Sequence, residues 1–425
     1  MRTSTISRVS VLAGALCAAC LQQTAAGQSF RWIGVLPGYE VLTAQAMSAD
    51  GRVIVGHARS LANNQRRAFR WSADGGLQSL GVLPGGESSF IGSAAYDVSD
   101  DGSVIVGESA GSMGTIRTFR WTAETGMSAL PLPPGVPLNT AAGSGLVSGD
   151  GRVVLGSLNS SASPAPFAFT WTAEGGSQLF NIPQWAIPRK LTYNGSAVLG
   201  HERVGQNSYA AVRWTLSGGR TVLLPDVWVS CINADGTAMH AQRPDLSWQF
   251  WTAARGFQSL EGHSGPTGAY FGNVTPDGSL FVGQVSSSTG ATAMVWSPTA
   301  GASTTENFLR RHGVQLPPDA VGQLRWTVDI SADGRTLMGQ GELRASDTLS
   351  YTGVWVATIP ICGSADFDND GQSGTDADIE AFFACLGGHC CPLCWAKGSD
   401  FNGDGDTGTD QDIEAFFRVL GGGGC

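Results

Sequence analysis

Between Phe30 and Val356 the apolar residues come in short runs, and turn residues separate them. The runs do not recur at helical spacing. Runs such as Val53-Ile54-Val55-Gly56 and Val153-Val154-Leu155-Gly156 are continuous rather than alternating. Strands of that kind are expected to be covered on both faces. Each run follows an Asp-Gly pair or its Asn-Gly equivalent, at Asp50, Asp101, Asp150, Asn194, Asp235, Asp277 and Asp333. Asp-Gly between apolar runs predicts a hairpin, because it supplies the positive φ angles of a tight turn. Farther along each unit stands a Trp-bearing strand, at Trp71, Trp121, Trp171, Trp214, Trp251, Trp296 and Trp355. The Phe-x-Trp spelling of the first three places both aromatics on one face of a strand.

The same sentence is therefore written seven times, with turns 41 to 56 residues apart. Three or four short strands in a unit of ~40–50 residues is the size of a propeller blade. The fold expected is mainly β: a seven-bladed β-propeller over 28–360. The seventh unit ends at Trp355-Val356 without the Leu-containing strand that closes the others. The chain's FRWIGVLPG opening resembles that missing strand, so Phe30 to Leu36 is expected to close the ring. Two features break the repeat. Unit five has lost the Gly that ends its second strand (Asp235 to Gln242). An insert at Ser303–Gln323 reads as a short helix with a capping box of Ser303 and Glu306.

The pattern changes after Cys362. Two near-copies, ADFDNDGQSGTDADIEAFFACLGG and SDFNGDGDTGTDQDIEAFFRVLGG, lie 34 residues apart. Each sets oxygen-bearing side chains on alternate residues around a Gly and then turns apolar with helical spacing. Ile379, Phe382, Phe383 and Leu386 form one stripe, and Ile413, Phe416, Phe417 and Leu420 the other. The two helices are expected to pack through these stripes.

Charge sharpens the division. Twelve acids and two bases fall between Cys362 and Cys425, so the whole net charge of -10 sits there and the rest is balanced. A neutral body with an acidic tail does not suit a nucleic-acid binder. Only two lysines occur, Lys190 and Lys397, and neither lies in a phosphate-binding Gly-Lys-Ser/Thr loop.

Calcium takes six to eight oxygens, which is why its loops space carboxylates around a Gly. The first loop offers Asp366, Asp368, Asp370 and the backbone of Gln372. The second offers Asp400, Asn402, Asp404 and Asp406. The closing position falls on Ala377 and Gln411, so the twelfth-residue carboxylate is displaced. Asp376 and Asp378 flank it in one copy, Asp410 and Asp412 in the other. Asp378 and Asp412, next to the helix starts, are the preferred closing ligands. Two calcium ions are expected. The competing reading is an acidic, metal-free tail.

Arg2 and Arg8, the apolar run Val9–Cys20 and the small residues near Ala26 read as an export signal over 1–27. No other stretch is apolar enough for a membrane, so a secreted or cell-surface protein is expected and not an integral membrane one. Export favours disulfides. Cys362, Cys385, Cys390, Cys391, Cys394 and Cys425 allow three, with pairing open, and Cys231 is left over as a buried thiol. Zinc on His389, Cys390, Cys391 and Cys394 is the rival use of those thiols.

The repeats resemble the extracellular HAF repeat family, through Arg67-Ala68-Phe69-x-Trp71 and Phe167-Ala168-Phe169-x-Trp171. That resemblance implies secretion and a propeller-like fold, and no known activity. The tail, 361–425, resembles a dockerin of the Cys-rich type that ends in Gly-Cys. It implies a small α-helical, calcium-dependent module that pairs with a cohesin-like or other cell-surface partner. Recognition would then fall on Thr375, Asp376, Thr409 and Asp410.

No catalytic residue is assigned: the chain carries no Gly-x-Ser-x-Gly and no His-Glu-x-x-His. The expectation is a non-catalytic binding or scaffold protein attached through its tail. The alternative is a polysaccharide lyase or hydrolase with its site at the propeller's central opening. A mouth crowded with His, Arg, Tyr and carboxylates would favour the enzyme, and one lined by Gly, Ser and Thr the binder.

Overall fold

The computed structural model describes residues 30–87, 89, 91–159, 167–183, 186–206, 208–259, 269–287, 290–312, 314–346, 349–359, 365–368, 372, 374–390, 399–402 and 406–421. The export segment lies outside them. Seven four-stranded antiparallel sheets form a propeller, and among the described residues three short α-helices and one 3-10 turn, Ser112–Gly114, complete the secondary structure. The inner strands of blades 1 to 7 are Val41–Met47, Ser93–Val98, Ala141–Val147, Ile187–Leu191, Trp228–Ile232, Ala269–Val274 and Leu324–Ile330. In blades 1 to 6 the strands follow chain order outward. The seventh sheet takes its outer strand from the N-terminus: Phe30, Arg31 and Trp32 pair with Ala357, Val356 and Trp355. This strand is shorter than the Phe30–Leu36 expected, although the Ile33 amide still reaches the Val354 carbonyl at 3.0 Å.

The Asp-Gly turns do more than reverse the chain. Ser48 Oγ donates to Asp50 Oδ1 at 2.6 Å and accepts from the Val53 amide at 2.9 Å. Ser99, Ser148 and Ser331 repeat both bonds, and Thr192, Asn233 and Thr275 take the same place in the other blades. The turn glycine also touches its neighbour blade. A Cβ on Gly102 would stand 2.6 Å from Val53 Cγ2 of blade 1. One on Gly51 would stand 2.6 Å from Thr336 Cβ of blade 7, so the interlock runs around the ring and returns to its start. Both glycines have positive φ, so two independent constraints select the residue.

Trp71 packs with Val328, Met338 and Val356 of blade 7, and Trp214 with Leu155, Ala168 and Phe180 of blade 3. The repeat tryptophans are thus cement between sheets. Helix α1 (Thr305–Arg311) sits in the predicted insert, but its N-cap is Thr304 rather than Ser303. Thr304 Oγ1 accepts from the Asn307 amide, while Glu306 instead pairs with Arg310 and accepts from the Gly322 amide.

In the tail, helices α2 (Asp376–Leu386) and α3 (Asp410–Leu420) stack Phe382 on Phe416, with centroids 4.0 Å apart. Phe367 and Phe401, from the loops, complete the core. Phe383 and Phe417 do not join it. They are 45% and 48% exposed, a correction to the predicted four-residue stripes. The loop phenylalanines take the place those two would have filled.

Candidate functional site

Every inner strand carries an irregularity. In six blades the strand skips a residue against its partner at the same place in the repeat: Gln45, Tyr96, Arg189, Ser230, Gly272 and Val328, and blade 7 skips Arg325 as well. Blade 3 skips one residue earlier, at Ser144. A bulge puts two consecutive residues on one face of a strand. Here that face looks down the propeller axis, and a cavity of about 170 Å³ is lined from all seven blades. The bulges also carry a carbonyl over the second strand. A Cβ on Gly107 would stand 2.0 Å from the Ala94 oxygen, which accounts for the glycine ending most of those runs.

The chemistry of the axis follows one column of the repeat, four residues before each turn Asp or Asn. It holds Ala46, Asp97, Leu146, Lys190, Cys231, Asn273 and Asp329, and all seven line the cavity. Sequence reasoning missed this column. Its signal was present: charged and amide side chains interrupt strands that are otherwise apolar, at one register of the repeat.

Asp329 is buried. Its Oδ2 accepts from the Met47 amide of blade 1 at 2.8 Å, and its Oδ1 from Ile330 at 2.8 Å and from Asn273 of blade 6. Asp97 accepts from Val98 at 3.0 Å and from Val147 of blade 3 at 2.8 Å. Each carboxylate ties its blade to the next. Burial pushes Asp329 up to about 6, against the opposing pull of Lys190 and the amides, and pushes Asp97 upward too. Burial alone would lower Lys190, but the combined field of Asp97, Asp329 and Asp100 outweighs it and keeps the amine charged.

Around this centre, the Tyr96 hydroxyl donates to Glu108 at 2.7 Å, and Arg66 pairs with the same oxygen at 3.0 Å. Burial, then Glu108, pushes Tyr96 up to about 12. Ser230 Oγ lies 2.7 Å from His240 Nδ1 and 2.9 Å from the Phe271 oxygen of blade 6. This pair is no nucleophile and base: burial takes His240 down to about 3, and its ring is stacked on Trp248. Cys231 is the expected buried thiol, pushed up to about 12 by burial. Trp228, which is not one of the seven repeat tryptophans, lies under the Arg189 guanidinium at 5.2 Å and edge-on to Trp248.

The second candidate site is in the tail. Asp366, Asp368 and Asp378 bring one carboxylate oxygen each within 4.8 Å of one another. Asp378 is buried and accepts from the amides of Phe367, Asp368 and Thr375, at 2.6, 3.3 and 2.8 Å, and from Thr375 Oγ1 at 2.9 Å. Burial raises its pKa, and these bonds more than reverse that, so the net shift is downward. Asp412 repeats the arrangement, accepting from Asn402, Thr409 and Thr409 Oγ1. Asp378 and Asp412 complete capping boxes with Thr375 and Thr409, a Thr-x-x-Asp signature the sequence reading passed over.

Asp376 and Asp410 are exposed in the first helical turns, outside that carboxylate group. Thr375 and Thr409 serve as caps, so their hydroxyls are engaged. Gln372, Asp400, Asn402 and Asp406 are described; Asp370 and Asp404 lie outside the described residues. Cys385 is bonded to Cys390, which removes Cys390 from the zinc set. Cys362, Cys391, Cys394 and Cys425 lie outside the described residues.

No protein-family model matches the chain, nor does any curated protein. Solved structures are similar in fold. The propeller domain of the Trilobed protease from Pyrococcus furiosus has 10% identity and a TM-score of 0.49, over 76% of this chain and 96% of that one. Oligogalacturonate lyase from Vibrio parahaemolyticus has 12% identity and a TM-score of 0.47, over 78% and 96%. TolB from Acinetobacter baumannii has 11% identity and a TM-score of 0.35; the match covers 61% of this chain and 52% of TolB. Among the described residues no helix is long and apolar enough to cross a membrane.

Proposed function

We propose that the chain is an exported binding or scaffold protein, with a propeller body and a dockerin-like tail for calcium-dependent attachment to a cohesin-like or cell-surface partner. The convergence of Asp366, Asp368 and Asp378 carries this reading. Three carboxylates gathered at a helix start are costly without a cation, and calcium is the hard cation that oxygen-only sites take. Asp412 copies the role of Asp378 beside Asp400 and Asn402, which supports a second ion. In the body, the pairing of Phe30–Trp32 with Trp355–Ala357 supports the N-terminal strand as the closing strand of the ring.

Calorimetric titration of the oxidised full chain tests the tail. Two calcium ions per chain are expected, and both are lost in the Asp378→Asn, Asp412→Asn double variant. An absence of binding at millimolar calcium, the range of extracellular modules, sinks the reading.

One observation favours the enzyme alternative. Arg189, Tyr96, Tyr270, Asp97 and Asp329 line the axis, three of the four residue types attached to an enzyme, and Asp329 at about 6 is poised as an acid or base. Against it, Asp329 and Asp97 already accept amide bonds that join blades. Incubation with soluble polysaccharides decides: new reducing or unsaturated ends, lost on Asp329→Asn, would make the body an enzyme.

A further inference from the structure

The axial cavity has surplus donors. Arg189 Nε is buried and has no hydrogen-bond partner among the described residues. Lys190 makes no direct ion pair among them, although it lies in the field of Asp97 and Asp329. The Tyr270 hydroxyl and the Gln45 amide also line the cavity without a described partner. The acceptors, by contrast, are largely committed, since Asp97, Asp329 and Asn273 each accept from a backbone amide. A buried donor without an acceptor, as Arg189 Nε is, costs free energy, and the other three donors face the same space, so the cavity suits a guest that brings acceptor oxygens.

Charge narrows the guest. Arg189 and Lys190 stand on blade 4, and Asp97 and Asp329 on blades 2 and 7. The four charges balance, so a doubly charged anion would meet repulsion from the two carboxylates. A single carboxylate can take the Arg189 fork, which matches its geometry, with the Tyr270 hydroxyl as a further donor. Met47, Leu146 and Ile232 supply apolar wall for a short carbon body. A volume of about 170 Å³ is near that of a cavity known to admit benzene, so about six to ten non-hydrogen atoms fit.

We infer that the propeller axis is a binding site for a small organic monocarboxylate, held by Arg189 and Tyr270 beside Lys190. The inference is independent of the tail, so calcium titration and this test fail separately.

The test is calorimetry on the full chain with lactate and butyrate, with inorganic phosphate and glycerol as comparison arms. A carboxylate is expected to bind more tightly than either comparison. Arg189→Gln weakens it about tenfold to hundredfold. Tyr270→Phe weakens it severalfold while leaving the ring in place, and Arg243→Gln, on an exposed outer position, leaves it unchanged. Binding should also tighten as pH falls through about 6. There Asp329, facing Asn273 and the Met47 amide and sharing the cavity with Asp97, Lys190, Arg189 and Tyr270, loses its charge. If Arg189→Gln unfolds by circular dichroism, Tyr270→Phe decides. Absence of carboxylate binding, phosphate or glycerol binding as well as the carboxylate, or Tyr270→Phe binding like the parent each overturns the assignment.

Discussion

The propeller and the tail both repeat an acidic turn, and their described carboxylates are arranged in opposite ways. In the body each turn Asp is satisfied locally: Asp101 accepts from Ser99 Oγ at 2.6 Å and from the Ser103 amide at 2.9 Å. One carboxylate serves one turn, and Asn194 takes its place in the fourth unit. In the tail, Asp366, Asp368 and Asp378 are brought to one point. Like charges brought to one point repel, and a bound cation would offset that repulsion. On the proposed calcium reading, the tail should gain stability from its ion and the body should not.

The largest expected effect probes the body's packing. Gly107→Ala drives a methyl group onto the Ala94 carbonyl and should cost about 3 kcal/mol or more, read by urea unfolding. Blade 5 already carries Ala241 in that column, so Ala241→Gly should change stability far less. Equal costs would mean that the bulge geometry does not set the preference.

The tail's counterpart separates core from surface. Phe416→Ala should cost about 3–5 kcal/mol of the tail's stability, read by urea unfolding, because it empties the stack on Phe382. Phe417→Ala should stay within about 0.5 kcal/mol, since that ring is 48% exposed. Comparable losses would show that both helical faces are buried.

Acid sharpens the comparison further. Burial holds His57 down to about 4, and His201 and His240 down to about 3, below the usual 6.5. The unfolded chain then binds more protons than the folded one below pH 6.5, so these groups make the body lose stability as pH falls from there toward 3. Asp329 acts with the opposite sign. Its folded value of about 6 lies above that of the unfolded chain, so protonation between 6 and 4 favours the fold. His240→Gln should flatten acid unfolding slightly, and Asp329→Asn should steepen it. Thermal melts across that range read both.

How much of this was legible in the sequence depended on how local the cause was. The Asp-Gly turns and the Trp strands announce themselves within a few residues, and the blade count followed. The Ser, Thr or Asn two residues before each turn Asp or Asn was just as local, but it works through its side chain, and apolar periodicity does not show that. The axis was hidden for a different reason. Asp97 in Tyr-Asp-Val-Ser and Lys190 in Arg-Lys-Leu-Thr look like ordinary surface residues one at a time. Only superposing the seven units, and knowing that a bulge turns that register inward, brings Asp97, Lys190 and Asp329 together. In the tail, Asp378 rather than the exposed Asp376 stands with Asp366 and Asp368. The exposure of Phe383 and Phe417 was not foreseen, because a helical stripe cannot say that Phe367 and Phe401 arrive from outside the helix.

The bulge column also bears on how such a body could diversify. The turn, the glycine interlock and the tryptophan cement occupy other registers, so a substitution at the column rewrites the lining of the axis and leaves those three in place, while at Asp97 and Asp329 it also gives up bonds to a neighbouring blade. Seven interchangeable sockets around one bore make a combinatorial palette. The present spelling, from Ala46 through Asp329, is one setting of a device that point changes alone could retune.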